Sequence, residues 1–144
     1  MDIINIVVLA LSGLLLTYAG TMRLIKPLKS LCLKTYLDNP NIKLEGKVDV
    51  FNEMRAAGAS MAFGGVILFL GIIIPQLTLA SFVVGMVIFL GNAIGRLTSL
   101  SSDGKPNQQL AQGLFSELIL GAANTVCLVI AILTTNITQP IAPK

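Results

Sequence analysis

The sequence predicts an all-α integral membrane protein, an up-and-down bundle of four transmembrane helices with a short interfacial helix after the first span. Its 144 residues are 54% hydrophobic and only 12% charged, whereas a soluble domain carries about 25% charged residues. Four apolar runs each reach the ~20 residues that a helix needs to cross a bilayer core. A chain this short could not bury so much apolar surface in a water-soluble globule, so residues 1–144 are expected to form a single transmembrane domain.

The four spans are expected at roughly residues 3–25, 51–74, 77–100 and 110–133, with a loop at 26–50. The first run is longer than the apolar segment of a secretory signal and follows no basic region, so it is expected to be retained as a span. Spans two and three meet at Pro75-Gln76, and Asp103-Gly104 is a turn signal between spans three and four. Such short connections force consecutive helices to run antiparallel.

The first loop is the only long connection between spans. In its first half, Leu28, Leu31, Cys32 and Tyr36 recur at helical spacing after Pro27, a residue that suits a helix start. This pattern predicts a short amphipathic helix lying in the membrane interface. The alternative is that the first span continues beyond the membrane with a kink at the proline.

The basic residues are distributed asymmetrically. Nine of the ten lysines and arginines fall at the end of the bundle where spans one and three finish and spans two and four begin. Because basic residues are enriched in cytoplasmic loops, this end is expected to face the cytoplasm and both termini the outside, in a bacterial inner membrane. The lipid bilayer is then one partner. No nucleic-acid partner is expected, since no aromatic residues are interleaved with a basic patch.

Small residues are expected to mediate helix packing. Ala56, Ser60 and Gly64 follow one another at four-residue steps in span two. Such stripes let helix backbones approach closely in a membrane. The partner could be another span of this chain or another subunit. The residues assigned to packing are Ser60, Gly64, Gly91, Gly95 and Gly121.

A set of polar residues lies within or at the edges of the spans. It comprises Arg23, Glu53, Arg55, Asn92, Arg96, Glu117 and Asn124. Charged groups at such positions turn inward and often mark functional sites. Two interpretations compete. In one, Glu53 and Glu117 pair with arginines and clamp the helix ends together; in the other, the set forms a small polar cavity that binds an anion, a head group or a proton.

The sequence offers little support for catalysis, so an enzyme is not the favoured interpretation. The chain has no histidine, which removes the commonest metal ligand and the usual general base. Its two cysteines, Cys32 and Cys127, do not form a C-x-x-C motif. No nucleophile–base pair or phosphate-binding glycine loop is recognisable. We therefore expect no catalytic residues, no metal and no cofactor.

Several short motifs carry a family resemblance. They are Asn52-Glu53-x-Arg55-Ala56, Gly95-Arg96-x-x-Ser99, Asp103-Gly104-x-Pro106 and Glu117-Leu118. Together they resemble an uncharacterised, domain-of-unknown-function family of small bacterial four-helix membrane proteins, distantly similar to the DoxX/DoxD group. One departure is in span two, where the family has a glycine pair soon after the arginine. Here Gly58 is followed by Ala59, and the pair Gly64-Gly65 comes later.

The resemblance implies a four-helix membrane bundle but no established activity. Some DoxD-like relatives are similar to small subunits of quinone-reducing complexes, which is an analogy of fold only. We therefore expect a non-catalytic accessory or structural subunit of a membrane complex, in contact with a protein partner or a second copy of the chain. The alternative is a binding or transport module for a small polar ligand, a lipid head group, a quinone or a proton at the cytoplasmic end of the bundle.

Overall fold

The described residues of the chain form four long helices and two short turns of 3-10 helix. The computed structural model describes residues 2–30, 46–106 and 108–138, with side chains as far as residue 134 in the last stretch. The helices are α1 (Ile3–Ile25), α2 (Val48–Ile73), α3 (Thr78–Ser102) and α4 (Gln108–Thr138). All four are long and apolar enough to cross a membrane. The predicted fold class, an all-α membrane bundle of four helices, is confirmed.

Three of the helices extend beyond the predicted spans. Helix α2 begins about one turn before Phe51, α3 reaches Ser102, and α4 continues past Leu133 to Thr138. An apolar run measures only the part of a helix that lies in hydrocarbon. Polar residues such as Asp49 and Ser101 continue the helical backbone without contributing to that run, so the helices are longer than the runs.

The connections follow the proline positions. A 3-10 turn at Pro27–Lys29 follows α1, and a second at Pro75–Leu77 leads directly into α3. The interfacial helix predicted after Pro27 falls mostly on residues 31–37, which lie outside the described residues. After α3, the Asp103 N–H donates to the Ser99 carbonyl at 2.7 Å, and Gly104 has a φ of +102°. A residue with a side chain is strained at that φ, so glycine suits this helix end.

The helices pack in sequence order around the bundle. The α1–α2 and α3–α4 interfaces are the most extensive, α2–α3 is smaller, and α1 and α4 touch only lightly. The inward face of α1 carries Leu9, Ser12, Gly13, Leu16 and Gly20, which follow the three- and four-residue steps of a helical face. The bundle is therefore closed on three sides and loosely closed on the fourth, between α1 and α4.

The outward faces remain apolar. Phe63 is 72% exposed and Ile73 is 74% exposed, and only 22–33% of each membrane-spanning window is buried within the bundle. So much exposed apolar surface marks a region that contacts lipid or another apolar surface rather than water. The four helices therefore form a membrane protein.

Glycines bring α1 and α2 into backbone contact. A Cβ atom placed on Gly20 would lie 2.6 Å from the Gly58 carbonyl oxygen, and one on Gly65 would lie 2.8 Å from the Gly13 carbonyl oxygen. In each helix the two glycines are seven residues apart, which is two turns. At these two positions the backbones of α1 and α2 are in direct contact. The small-residue stripe predicted from the sequence of span two, Ala56, Ser60 and Gly64, did not include these glycines.

We call the end of the bundle where α1 and α3 finish and α2 and α4 begin the charged end. Within the described residues, Asp2 is the one charged side chain at the opposite end. Those at the charged end are Arg23, Lys26, Lys29, Lys47, Asp49, Glu53, Arg55, Arg96, Asp103, Lys105 and Glu117. This asymmetry supports a membrane-crossing arrangement, and the cytoplasmic orientation of the charged end stays a prediction.

Candidate functional site

A partly buried ion pair joins α3 to α4. The Arg96 Nε atom donates to the Glu117 Oε2 atom at 2.6 Å, and the two side chains are 22% and 8% exposed. Glu117 lies nine residues into α4, roughly 13 Å along the helix axis from its first residue. The pair is therefore embedded in the bundle, where each charge requires its partner because burial removes the hydration that would otherwise stabilise it.

Two further arginines connect α1 to α2. Arg23 Nη1 lies 2.9 Å from the Met61 sulfur. Arg55, which is exposed, donates from Nη1 to the Leu24 carbonyl at 2.9 Å. That carbonyl belongs to the last turn of α1, where backbone acceptors have no partner within the helix. Arg55 therefore caps α1, whereas Arg23 lies further inside the bundle.

Glu53 does not form the ion pair that the clamp hypothesis predicts for it. Its side chain is exposed and forms no ion pair with any described residue. Glu53 and Arg55 are about 200° apart around α2, so they face different surroundings, and an exposed carboxylate is stabilised by solvent without a cation. Within the described residues, the predicted Glu–Arg clamp thus reduces to the Arg96–Glu117 pair.

A cavity of about 490 Å³ opens beside this ion pair. It lies where α1 and α4 touch only lightly. Its polar wall consists of Arg23, Lys29, Ser30, Asn92, Arg96, Gln109, Gln112, Ser116 and Glu117. Its apolar wall includes Leu15, Leu16, Ala19, Met22, Met61 and Phe89. A single ligand in the cavity would therefore contact both charged and apolar side chains.

A wider groove of about 860 Å³ lies on the other side of the same polar residues. Arg23, Asn92 and Arg96 line both spaces, while Glu53 lines the groove alone. Three of the predicted polar residues thus form the wall between cavity and groove. The structure brings Arg23, Asn92, Arg96 and Glu117 together, but not Arg55.

Two buried polar atoms at this end have no hydrogen-bond partner among the described residues. They are the Nδ2 atom of Asn92, a donor, and the Oε1 atom of Gln109, an acceptor. Buried polar atoms are nearly always hydrogen-bonded, and both residues line the cavity. Gln109 lies in the first turn of α4, outside the apolar run, and the sequence analysis did not select it.

Asn124 lies deeper and outside the cavity. It is fully buried, and its Nδ2 atom donates to the Ser12 hydroxyl at 2.8 Å and to the Leu120 carbonyl at 2.8 Å. Gly85 provides the space for it, because a Cβ there would collide with the Asn124 side chain. Asn124 therefore links α4 to α1 across the lightest interface of the bundle and is a packing residue rather than a wall of the site.

The glycines assigned to packing behave in two ways. A Cβ atom on Gly64 would collide with Ile88, and one on Gly121 would collide with Leu90. By contrast, a Cβ atom on Gly91 or Gly95 would meet no atom of the described residues within 4 Å. Ser60 is exposed, and its hydroxyl donates to the carbonyl of Ala56 in the same helix. Gly91, Gly95 and Ser60 thus make no close packing contact with another helix among the described residues, and their assignment to helix packing stays a prediction.

Comparison with known proteins places the chain in a family. The model of a family described as a domain of unknown function (DUF4345) matches residues 4–128. The chain belongs to this family. The DUF4345 region covers α1 to α3 and most of α4, including every residue that lines the cavity. Neither the curated proteins nor the solved structures contain a match. The predicted membership of a domain-of-unknown-function family is confirmed, and the bacterial origin and the likeness to the DoxX group stay predictions.

Proposed function

We propose that this DUF4345 protein is a binding module for a small amphipathic molecule that enters the cavity from the membrane. The observation that carries the proposal is the composition of the cavity wall. An embedded ion pair and two amide atoms that have no hydrogen-bond partner among the described residues, Asn92 Nδ2 and Gln109 Oε1, line the same space as a set of apolar side chains. Binding pockets combine a mostly apolar lining with a few polar groups that orient the ligand. Filling the cavity would satisfy those groups, which would otherwise remain buried at a cost in free energy.

Substitution of Gly113 tests the proposal directly. A Cβ atom on Gly113 would lie 3.5 Å from the Arg96 Cζ atom, so Gly113→Leu would place its side chain over the guanidinium and into the cavity. Leucine also favours a helix by about 1 kcal/mol relative to glycine, so the fold should persist. We expect mass spectrometry to detect a small molecule at near-stoichiometric level with the purified wild-type protein and to find it lost in Gly113→Leu.

The matched control is Ser60→Leu, which adds a leucine to an exposed helix face away from the cavity. This variant should retain the bound molecule at the wild-type level. Equal retention by all three proteins would contradict the proposal, because binding would then not depend on the cavity. The same conclusion would follow if the wild-type protein carried only lipids in proportion to the bulk membrane.

A second candidate function is that of an accessory subunit, and the exposed face of α3 favours it. Gly91 and Gly95 leave their turn of α3 open beside the wide groove, and small residues at this spacing let a second helix approach closely. Cross-linking in the membrane followed by mild detergent extraction should recover a partner or a second copy. Gly91→Leu should abolish the cross-link, and a monomer in both proteins would reject this candidate.

A further inference from the structure

We propose that the ligand of the cavity is an anionic phospholipid, with its phosphate held by Arg96 and Asn92 and its acyl chains lying along α1. The inference rests on the proposed function, because it names the chemical class of the molecule that the cavity binds. It is argued from the charge of the cavity wall, from the free donor atoms of Arg96, and from the position of the opening.

The charge of the cavity wall favours an anion. Among the residues that line it, Arg23, Lys29 and Arg96 are cationic and Glu117 is anionic. Arg96 and Glu117 neutralise each other within their ion pair. Lys29, an exposed residue of the same wall, forms no ion pair with another described residue and contributes a positive charge. A phosphate group brought by the ligand would be attracted to this charge.

Two donor atoms of Arg96, Nη1 and Nη2, can bind the phosphate. Its bond to Glu117 uses Nε, and its Nη1 and Nη2 atoms form no hydrogen bond or ion pair with another described residue. Both atoms lie against the bare Cα of Gly113, at 3.7 and 3.5 Å from the position that a Cβ would take. A glycine here thus leaves the terminal nitrogens of the guanidinium uncovered. A planar guanidinium holds phosphate oxygens through two parallel hydrogen bonds.

The neighbouring amides extend this site. Asn92 is four residues before Arg96, on the same face of α3, and its unpartnered Nδ2 atom is a further donor for a phosphate oxygen. The unpartnered Oε1 atom of Gln109 is an acceptor, which a phosphate cannot satisfy but a hydroxyl beside the phosphate can. A glycerol-type head group carries both functions, and phosphatidylglycerol is the simplest lipid with this chemistry.

The position of the opening favours a lipid over a soluble phosphate. The exposed side chain of Tyr18 on α1 and that of Gln112 on α4 both line the cavity, so its mouth lies between these two helices. Leu15, Ala19 and Met22 continue the wall along α1. A lipid could enter sideways from the bilayer, leave its chains against this apolar wall and place only its head inside the bundle.

The test is the thermal stability of the purified protein in a neutral maltoside detergent, with lipids added one at a time. Phosphatidylglycerol should raise the melting temperature. Phosphatidylcholine has the phosphate but no net charge, diacylglycerol has the chains without the phosphate, and inorganic phosphate has no chains. None of these three should reproduce the shift, since each lacks one part of the proposed ligand.

The variant Arg96→Gln/Glu117→Gln removes the guanidinium while keeping a pair of side chains that can hydrogen-bond to each other. Its affinity for phosphatidylglycerol should fall about tenfold to a hundredfold, as expected for loss of a charged hydrogen bond. The matched control is Arg55→Gln, which removes an arginine from the same end that lines neither space. That variant should keep the wild-type affinity.

Three results would overturn the inference. Equal shifts with phosphatidylglycerol and phosphatidylcholine would exclude selection by charge, and a full shift with inorganic phosphate would assign the site to a soluble anion. Equal losses of affinity in Arg96→Gln/Glu117→Gln and Arg55→Gln would reduce the effect to bulk electrostatics. Failure here remains distinct from failure of the proposed function: a neutral molecule lost in Gly113→Leu would reject the lipid and keep the binding module.

Discussion

Gly20→Ala is expected to destabilise the bundle by about 1–3 kcal/mol, although alanine is the better helix former. A Cβ atom at this position would lie against the backbone of Ala62 and 2.6 Å from the Gly58 carbonyl oxygen. The obstructing atoms all belong to main chain, so no side-chain rotation can relieve the overlap. The two helices would have to separate along the most extensive interface of the bundle. Thermal unfolding followed by circular dichroism in detergent measures the loss.

Gly91→Ala is the matched control, since it makes the same chemical change in the interior of another helix. No atom of the described residues lies within 4 Å of the position that a Cβ on Gly91 would take, so only the gain in helix propensity, up to about 1 kcal/mol, should appear. The difference between the two variants isolates the cost of separating α1 from α2. If both changed the melting temperature in the same direction and by the same amount, the close approach of the two backbones would not stabilise the fold.

The contrast between these glycines explains which parts of the fold the sequence could predict. Run lengths predicted four helices correctly because a lipid-exposed backbone must satisfy its own hydrogen bonds, and helices do so within one segment. They could not predict which faces touch, because lipid-facing and helix-facing surfaces are both apolar in a membrane. Gly91 and Gly95 matched a known motif but are in close contact with no other helix among the described residues. Gly13 and Gly20, seven residues apart rather than four, form the backbone contact between α1 and α2.

For the site, the sequence could likewise predict which end of the bundle it lies at, but not which side chains pair. Arg96 and Glu117 were expected at the same end because antiparallel spans bring the end of α3 to the start of α4. That Glu117 rather than Glu53 would find an arginine depends on the rotation of each helix about its axis, which charge spacing alone does not specify. A small polar cavity was one of the two interpretations of the polar set, but its place between α1 and α4 could not be predicted, because it depends on the light contact between these helices and on the missing side chain of Gly113.

Glu117→Ala is expected to destabilise the protein by about 3 kcal/mol, within the range for removing one member of a buried ion pair. The Arg96 side chain is 22% exposed and Glu117 is 8% exposed, so the guanidinium left behind would be only partly hydrated, and we expect the lower part of that range. The measurement is again thermal unfolding in detergent. Glu53→Ala, which removes an exposed carboxylate, should change stability by no more than about 0.5 kcal/mol.

The double variant Arg96→Met/Glu117→Leu separates a structural from a functional role of the pair. Replacing both members of a buried ion pair by apolar residues of similar size is often neutral or stabilising, so the double variant should recover the stability that Glu117→Ala loses. If it is stable but no longer retains the bound molecule, the pair exists for binding, and the fold would be as stable without it. If the double variant is as unstable as Glu117→Ala, the ion pair itself holds α3 to α4, and the clamp hypothesis is correct.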